Sequence, residues 1–383
     1  MPPRRSPPRR APPRRSSPQP APPRAPSRAP ARQHDSVTVE VGVAPGLDDV
    51  VLRELRTLAR RERLPTPLTS SRDDAISVAW PGDPAALHAL RTAQSVARVW
   101  RFDVPRPKAL LDTSALRTLG AGLRGISAGA RFRALRLAAA GAGSPVMQRL
   151  ARALADEVGL PVDADDGDLL VRVRPGAEGG WEVLARTTPR PLSVRPWRVC
   201  DRPGALDAAL AAALVQLAGV RAGDRVANPM VGSGTLLIER ALAGAAACLH
   251  GVDSDLEALA CAARNAEAAG VSERLWLARG DARSTLRPDD AAEGRYDLVL
   301  VDPPWGDAVG DHAGNAALYG DLLAAAAAQT VRGGRLVLVT HEVRLAERLL
   351  GEQRWWAPQH ARRVWQGGHR PLCVILERLP GGV

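Results

Sequence analysis

The sequence predicts an α/β protein whose second half is a Rossmann-like, doubly wound, mostly parallel sheet, preceded by an α+β region. Three observations point there. From Gly204 onward, apolar strand-like runs alternate with helical stretches, and turns rich in Gly, Asp and Pro follow the strands. Between Ser36 and about residue 195, strands and helices are mixed without that rhythm. Residues 1–34 are mostly Pro, Arg, Ala and Ser with repeated Pro-Pro-Arg, a composition too poor in apolar groups to order itself. The chain thus divides into a disordered tail over 1–34, an α+β domain over 35–195 and a Rossmann-like domain over 196–383.

Each element has its own signal. Val37, Val39, Val41 and Val43 alternate with other residues, which reads as a strand. Helical periodicity covers 47–61. Strands are expected over 74–80 and 95–104, with a helix over 84–92 between them. A helix over 114–123, a strand over 131–137 and a helix over 145–158 follow. Two strands, 168–174 and 181–186, flank the turn-rich Pro175-Gly176-Ala177-Glu178-Gly179-Gly180. The proline-punctuated run from Pro189 to Pro196 reads as a connection. In the second half a helix over 206–217 precedes a strand over 225–227, a glycine loop and a helix. Strands over 246–252, 275–278, 297–301 and 334–340 then alternate with helices over 255–268 and 316–329. Two late strands lie near 360–365 and 372–376.

Charge separates the tail from the rest. Of 52 basic residues nine lie in 1–34, where there is no acid, so most of the formal +11 belongs to the tail. The remainder is nearly balanced. Lys108 is the only Lys, a bias that fits GC-rich codon usage and weakens any argument from Arg content alone. The tail reads equally as a nonspecific phosphate-binding arm and as a solvated leader. Cys200, Cys248, Cys261 and Cys373 form no CxxC pair and stand at no metal-ligand spacing with His, so the expectation is buried, reduced thiols and no metal. No apolar run approaches the roughly 20 residues of a membrane span, and no apolar stretch follows the N-terminal Arg pairs as a secretion signal requires. The expected location is the cytoplasm.

Four motifs fall at the ends of successive predicted strands, the edge where open α/β sheets bind ligands. Asn228-Pro229-Met230-Val231-Gly232-Ser233-Gly234-Thr235 supplies glycines for close backbone approach and a helix N-terminus, with no Gly-Lys-Ser/Thr of a phosphate loop. Asp253 stands about 20 residues beyond, where an acid can accept two ribose hydroxyls; taken alone it reads more readily as a helix N-cap, with Asp255 competing for that role. Gly280-Asp281-Ala282 offers a carboxylate to an adenine amino group. Asp302-Pro303-Pro304-Trp305 is the most specific. Its prolines end the strand and fix the backbone. A carboxylate and a proline carbonyl can then accept both N–H bonds of an exocyclic amine and aim its lone pair, while Trp305 offers a stacking face. His341-Glu342 has no HExxH context and reads as a helix start.

On these motifs residues 224–340 resemble a class I methyltransferase. The wider span 36–378 is similar to RNA guanine-N2 methyltransferases that carry an N-terminal THUMP domain. That likeness also rests on Pro191-Leu192-Ser193-Val194-Arg195-Pro196-Trp197-Arg198 and on Arg202-Pro203-Gly204-Ala205-Leu206. The resemblance implies S-adenosylmethionine as cofactor, bound by Asn228, Pro229, Met230, Gly232, Ser233, Gly234, Thr235, Asp253, Asp281, Ala282 and Asp302. It implies catalysis by Asp302, Pro303, Pro304 and Trp305 without a metal. It implies guanine N2 as acceptor, in tRNA ahead of rRNA, and RNA binding by the front domain. The chain departs from the family pattern at Asn228, where an acid is usual, at Val231, where a small residue or Cys is common, and at Asp302, where Asn is frequent. The Asp form also occurs in adenine-N6 enzymes of DNA or RNA, so adenine stays open as acceptor. A noncatalytic RNA-binding protein with a retained fold is the alternative of another class; the intact Asp302–Trp305 motif and glycine loop speak against it. In the front domain Lys108, Arg131, Arg133 and Arg136 are candidate phosphate contacts, Arg131 and Arg133 sharing one strand face by period-two alternation.

Overall fold

The computed structural model describes residues 36–72, 74–283, 295–304 and 312–380, apart from the side chains of 312 and 313. The tail expected over 1–34 lies outside the described residues. The front sheet runs β2-β3-β1-β4-β7-β6-β5. Its strands are β1 (Val37–Gly42), β2 (Leu68–Ser71), β3 (Ala75–Trp80), β4 (Ser95–Phe102), β5 (Leu135–Ala139), β6 (Leu169–Pro175) and β7 (Trp181–Arg186). One face is covered by α1 (Asp48–Arg61) at one end and by α2 (Thr113–Gly129) and α3 (Pro145–Val158) at the other. The alternation read in the sequence sorts the faces. Val171, Val173, Val183 and Ala185 pack under α2 and α3, while Arg172, Arg174 and Arg186 stand on the face away from them.

The second sheet runs β10-β9-β8-β11-β12-β14-β13. Its strands are β8 (Arg225–Pro229), β9 (Cys248–Asp253), β10 (Trp276–Arg279), β11 (Tyr296–Val301), β12 (Thr330–Thr340), β13 (Trp356–Arg363) and β14 (Leu372–Arg378). The first five are parallel; β14 is antiparallel to β12 and β13. Both faces of its central strands are buried, as their continuous apolar runs require. Leu298, Leu300, Val337 and Val339 face α4 (Ala208–Ala218), α5 (Thr235–Ala243) and α6 (Leu256–Ala268). Val299, Val301, Leu336 and Leu338 face α7 (His312–Gln329) and α8 (Val343–Glu352).

The doubly wound sheet is as expected, and several local expectations are corrected. The strand expected over 131–137 begins at Leu135, because the Asp168 carboxylate accepts from the backbone N–H groups of Arg133 (2.8 Å) and Ala134 (3.3 Å) and holds that stretch as a loop. Arg131 and Arg133 therefore share no strand face. The helix over 84–92 is a short 3-10 helix, Pro84–Ala89, ended by extended Leu90. The edge strand β2, exposed along its length, went unread because Leu68-Thr69-Ser70-Ser71 has no apolar alternation. The cysteines were expected to be reduced, yet Cys200 and Cys261 form a disulfide across 61 residues. Asn265, one turn beyond Cys261, explains the approach: its Oδ1 accepts from the Cys200 N–H (2.9 Å) and its Nδ2 donates to the Cys200 carbonyl (2.8 Å). Cys248 and Cys373 remain thiols.

One core runs through both sheets. Val39, Val41 and Leu55 of the front belong to the same apolar cluster as Leu210, Leu237 and Ile375 behind. Into that junction the sequence inserts a wholly buried carboxylate, Glu239 on α5. Arg91, from the loop before β4, donates to its Oε2 (2.6 Å by Nη2), and Arg195, from the connection, to its Oε1 (2.9 Å). Arg195 also donates to the carbonyls of Leu192 and Arg91. Removing the one acceptor that two cations share leaves them unmatched, so Glu239→Ala is expected to cost about 3 kcal/mol. Chemical denaturation of the variant checks this; a midpoint equal to the parent's would show that the pair of bridges does not join the halves.

Candidate active site

Between β8 and β11 the winding of the sheet reverses, because β9 and β10 continue to one side of β8 and β12 to the other side of β11. Such a reversal opens a crevice at the strands' carboxyl ends. A cavity of about 350 Å³ lies there, lined by Asn228, Met230, Gly232, Ser233, Thr235, Asp253, Asp302, Pro303 and Pro304 among others. Three of the four sequence motifs thus meet in one place.

The glycine loop owes its shape to left-handed backbone. Gly232 (φ 56°) and Gly234 (φ 86°) adopt it at little cost, and Met230 (φ 61°) does so as a non-glycine, a strained conformation of the kind that gathers at functional sites. A Cβ on Gly234 would also press on Ile238 and Ala262 at 3.1 and 3.2 Å. Asp253 braces this loop. Its Oδ2 accepts from Gly232 N–H (2.9 Å) and its Oδ1 from Asp255 N–H (3.0 Å), while Asp255 takes the capping position of α6 by accepting from Glu257 N–H. The two aspartates divide the roles that the sequence left open: Asp255 caps, and Asp253 turns its carboxylate to the cavity.

Asn228 explains its own departure from an acid. Its Nδ2 donates to the Leu300 carbonyl of β11 (2.7 Å), a bond that a carboxylate cannot make. Its buried Oδ1 then has no hydrogen-bond partner among the described residues. A buried acceptor on a cavity wall calls for a donor from a ligand. An S-adenosylmethionine ammonium fits there, and its ribose hydroxyls fit Asp253. Asp281 and Ala282 stand apart: Ala282 is buried in the core, and Arg283 binds the Asp281 carboxyl (2.6 Å) and holds it below the usual range. Neither lines the cavity, nor do Pro229, the last residue of β8, and Gly234. Trp305 lies outside the described residues.

Residues not assigned to the site from the sequence complete it. Arg202, Pro203, Gly204, Ala205 and Leu206 form a wall, and Arg202 pairs with Asp255 beside the cavity. Buried Tyr319 of α7 reaches the Pro304 carbonyl (3.4 Å) and shares a hydrogen bond with Thr340 (2.7 Å). Burial, together with the charges of Asp302 and Glu342, pushes the Tyr319 phenol far up, so it stays protonated in the working range. The Cys373 thiol is pushed up to about 12 by burial and by Asp302. His341-Glu342 precedes α8 as a helix start; the Glu342 carboxylate accepts from Asn315 (3.2 Å) instead of capping. Among the described residues no group of three or more His, Cys, Asp or Glu could hold a metal.

The front-domain candidates are not brought to the cavity. Lys108 and Arg131 are exposed; Arg133 pairs with Asp168 (3.2 Å). Arg136 donates to the Asp165 carbonyl (3.0 Å); burial first, and then the positive charge of Arg136, holds the Arg186 guanidinium below its usual range.

Known proteins give the geometry a context. Residues 195–371 match a family model described as RMKL-like, methyltransferase domain. The chain is 34% identical over 349 residues to the tRNA (guanine(6)-N2)-methyltransferase of Thermus thermophilus, covering 89% of this chain and 99% of that one. The crystal structure of TrmN from Thermus thermophilus superposes with a TM-score of 0.68 at 29% identity, covering 90% of this chain and all of the other. The ribosomal RNA large subunit methyltransferase K/L of Vibrio cholerae is 31% identical over 170 residues, but only 24% of that protein is covered.

Two outcomes follow from the site. Asp253→Ala removes a brace of the loop and the cavity-wall carboxylate that ribose hydroxyls fit, and should weaken S-adenosylhomocysteine binding by roughly 30-fold or more at charge-assisted bond strengths; calorimetric titration reads it, and unchanged affinity would dismiss the ribose role. Tyr319→Phe should lower kcat several-fold, through a looser Pro304 carbonyl, and leave cofactor affinity within twofold. Steady-state rates beside the same titration separate this from a cofactor effect, which would instead appear as weakened binding with kcat intact.

Proposed function

The chain belongs to the same family as the Thermus thermophilus tRNA (guanine(6)-N2)-methyltransferase, and from that premise we propose that it transfers a methyl group from S-adenosylmethionine to the exocyclic N2 of a guanine in tRNA. The observation that carries the reading is Asp302 on the wall of the same cavity as Asn228, the glycine loop and Asp253. When bound, the cofactor supplies an electrophilic methyl group on sulfur. The residues supply position. Asn228 and Asp253 hold the donor; Asp302 and the Pro303 carbonyl accept the two N–H bonds of the amine. Its lone pair, otherwise drawn into the base, is thereby aimed at the methyl carbon. The amine nitrogen would bond to the methyl carbon as the carbon–sulfur bond breaks, leaving S-adenosylhomocysteine, and the surplus amine proton would be lost to water. A paired target base must first leave its stack. Trp305, next in the chain, is proposed to stack on it.

tRNA is preferred to rRNA because the likeness to the tRNA enzyme runs end to end, whereas that to the rRNA enzyme covers a fraction of its length. Guanine is preferred to adenine on the same ground, and Asp302, like Asn, can accept from an amine of either base. We further propose that 35–195 is a THUMP-containing RNA-binding domain and 196–383 the methyltransferase domain. Lys108, Arg131 and Arg136 would meet RNA phosphates, with Arg133 largely neutralised by Asp168, and Asp281 would serve the adenine side. The proposed location is the cytoplasm; no helix among the described residues is long and apolar enough to cross a membrane.

The test uses tRNA transcripts and labelled cofactor. Replacing the target guanosine by inosine removes only the amine and should abolish labelling, and Asp302→Ala should do so while S-adenosylhomocysteine affinity stays within twofold. Normal turnover by either would end the assignment.

A further inference from the structure

The cofactor half of the crevice is accounted for; the side from which the acceptor must arrive is not. The cofactor loop and Asp253 lie on the β8–β9 side of Asp302. With that side given to the cofactor, the β12–β14 side of Asp302 is left for the amine. Because β14 is antiparallel, with Leu372 opposite Thr340, the turn that precedes it projects past the same sheet edge.

That turn is closed and moored by its own contacts. Gly367 (φ 54°) and Gly368 (φ 88°) form a two-residue hairpin tip, closed by reciprocal bonds between Gln366 and His369 (2.9 Å each). It is moored on three sides. Trp365 N–H donates to the Pro45 carbonyl (3.3 Å), Asp207 N–H donates to Gln366 Oε1 (3.3 Å), and the His369 ring lies 4.9 Å from His341. His341 directly follows Thr340, whose hydroxyl meets Tyr319 and through it Pro304, so the tip connects by packed contacts to the catalytic motif. Val364 is fully buried and serves the core, whereas Trp365 beside it stays 48% exposed. The register sets Trp365 across from Arg370, with exposed Arg363 two residues before it. Residues 354–376 contain four Arg and no acid.

The Arg363 Nε donates to the Arg370 carbonyl (2.6 Å), which leaves its other nitrogens to a ligand. An exposed indole on a moored backbone, with arginines at neighbouring register positions, is a stacking platform with phosphate anchors. We infer that the hairpin tip is the acceptor-strand subsite: Trp365 stacks on an unpaired RNA base flanking the target, and Arg363 and Arg370 meet the backbone phosphates on either side. The inference rests on the RNA reading of the site above. It gives the tip a second task besides bridging the two halves, which is to hold the target strand open while the amine reaches Asp302.

The test measures tRNA binding by fluorescence anisotropy, with S-adenosylhomocysteine present, alongside steady-state methylation. Trp365→Ala should raise both Kd and KM for tRNA about tenfold, with kcat far less affected and S-adenosylhomocysteine affinity unchanged. Trp365→Phe should recover most of the loss, which a merely structural role would not predict. Arg370→Ala should weaken binding and flatten its logarithmic salt dependence by about one. If the parent enzyme binds and methylates tRNA while Trp365→Ala and Arg370→Ala stay within twofold of it, the subsite is refuted and the function stands. If the parent neither binds nor methylates tRNA, both fall.

Discussion

The hydrogen bond from Asn228 to the Leu300 carbonyl, 2.7 Å and buried, is the contact on which the site depends. It ties the carboxyl ends of β8 and β11 at the point where the sheet reverses its winding. One strand leads into the cofactor loop and the other into Asp302, so this one amide sets donor and acceptor machinery in register. The reason for an amide is elementary. Only a group that can donate to a carbonyl and still keep an oxygen for a ligand does both tasks, and aspartate cannot. Methyl transfer needs little from a protein beyond placement, and placement degrades quickly when the two strands shift.

A second layer of constraint keeps the front half in place. Glu239 lies one turn beyond the glycine loop on α5, yet its two partners come from the front sheet's loop and from the connection. A buried carboxylate of this kind adds little net stability, because desolvation offsets most of the attraction. Its contribution is specificity of arrangement: apolar surfaces can slide over one another, whereas two guanidiniums on opposite oxygens of one carboxylate cannot. The cofactor helix is thereby coupled to the domain proposed to grip RNA, and the hairpin tip at Pro45 repeats that coupling on the acceptor side.

Much of this was legible in the sequence, for physical reasons. Buried parallel strands read as apolar runs, and open α/β sheets place ligands at their carboxyl ends, so the motifs at Asn228–Thr235, Asp253 and Asp302–Pro304 stand out in the sequence, and residues of all three line one cavity. Contacts between distant segments were not legible. Tyr319 sits in an alanine-rich helix with nothing to mark it, and the partner of Cys200 lies 61 residues away. The Arg131–Arg133 strand failed because Asp168, 35 residues on, captures that backbone. Trp365 looked like part of a strand; only the positive φ angles of the next two glycines make it a projecting tip.

The most direct measurement is nucleoside analysis of unmodified tRNA after incubation with the protein and methyl-labelled S-adenosylmethionine. The account predicts label in N2-methylguanosine. Label in N6-methyladenosine, or none in tRNA with label in rRNA, would contradict it.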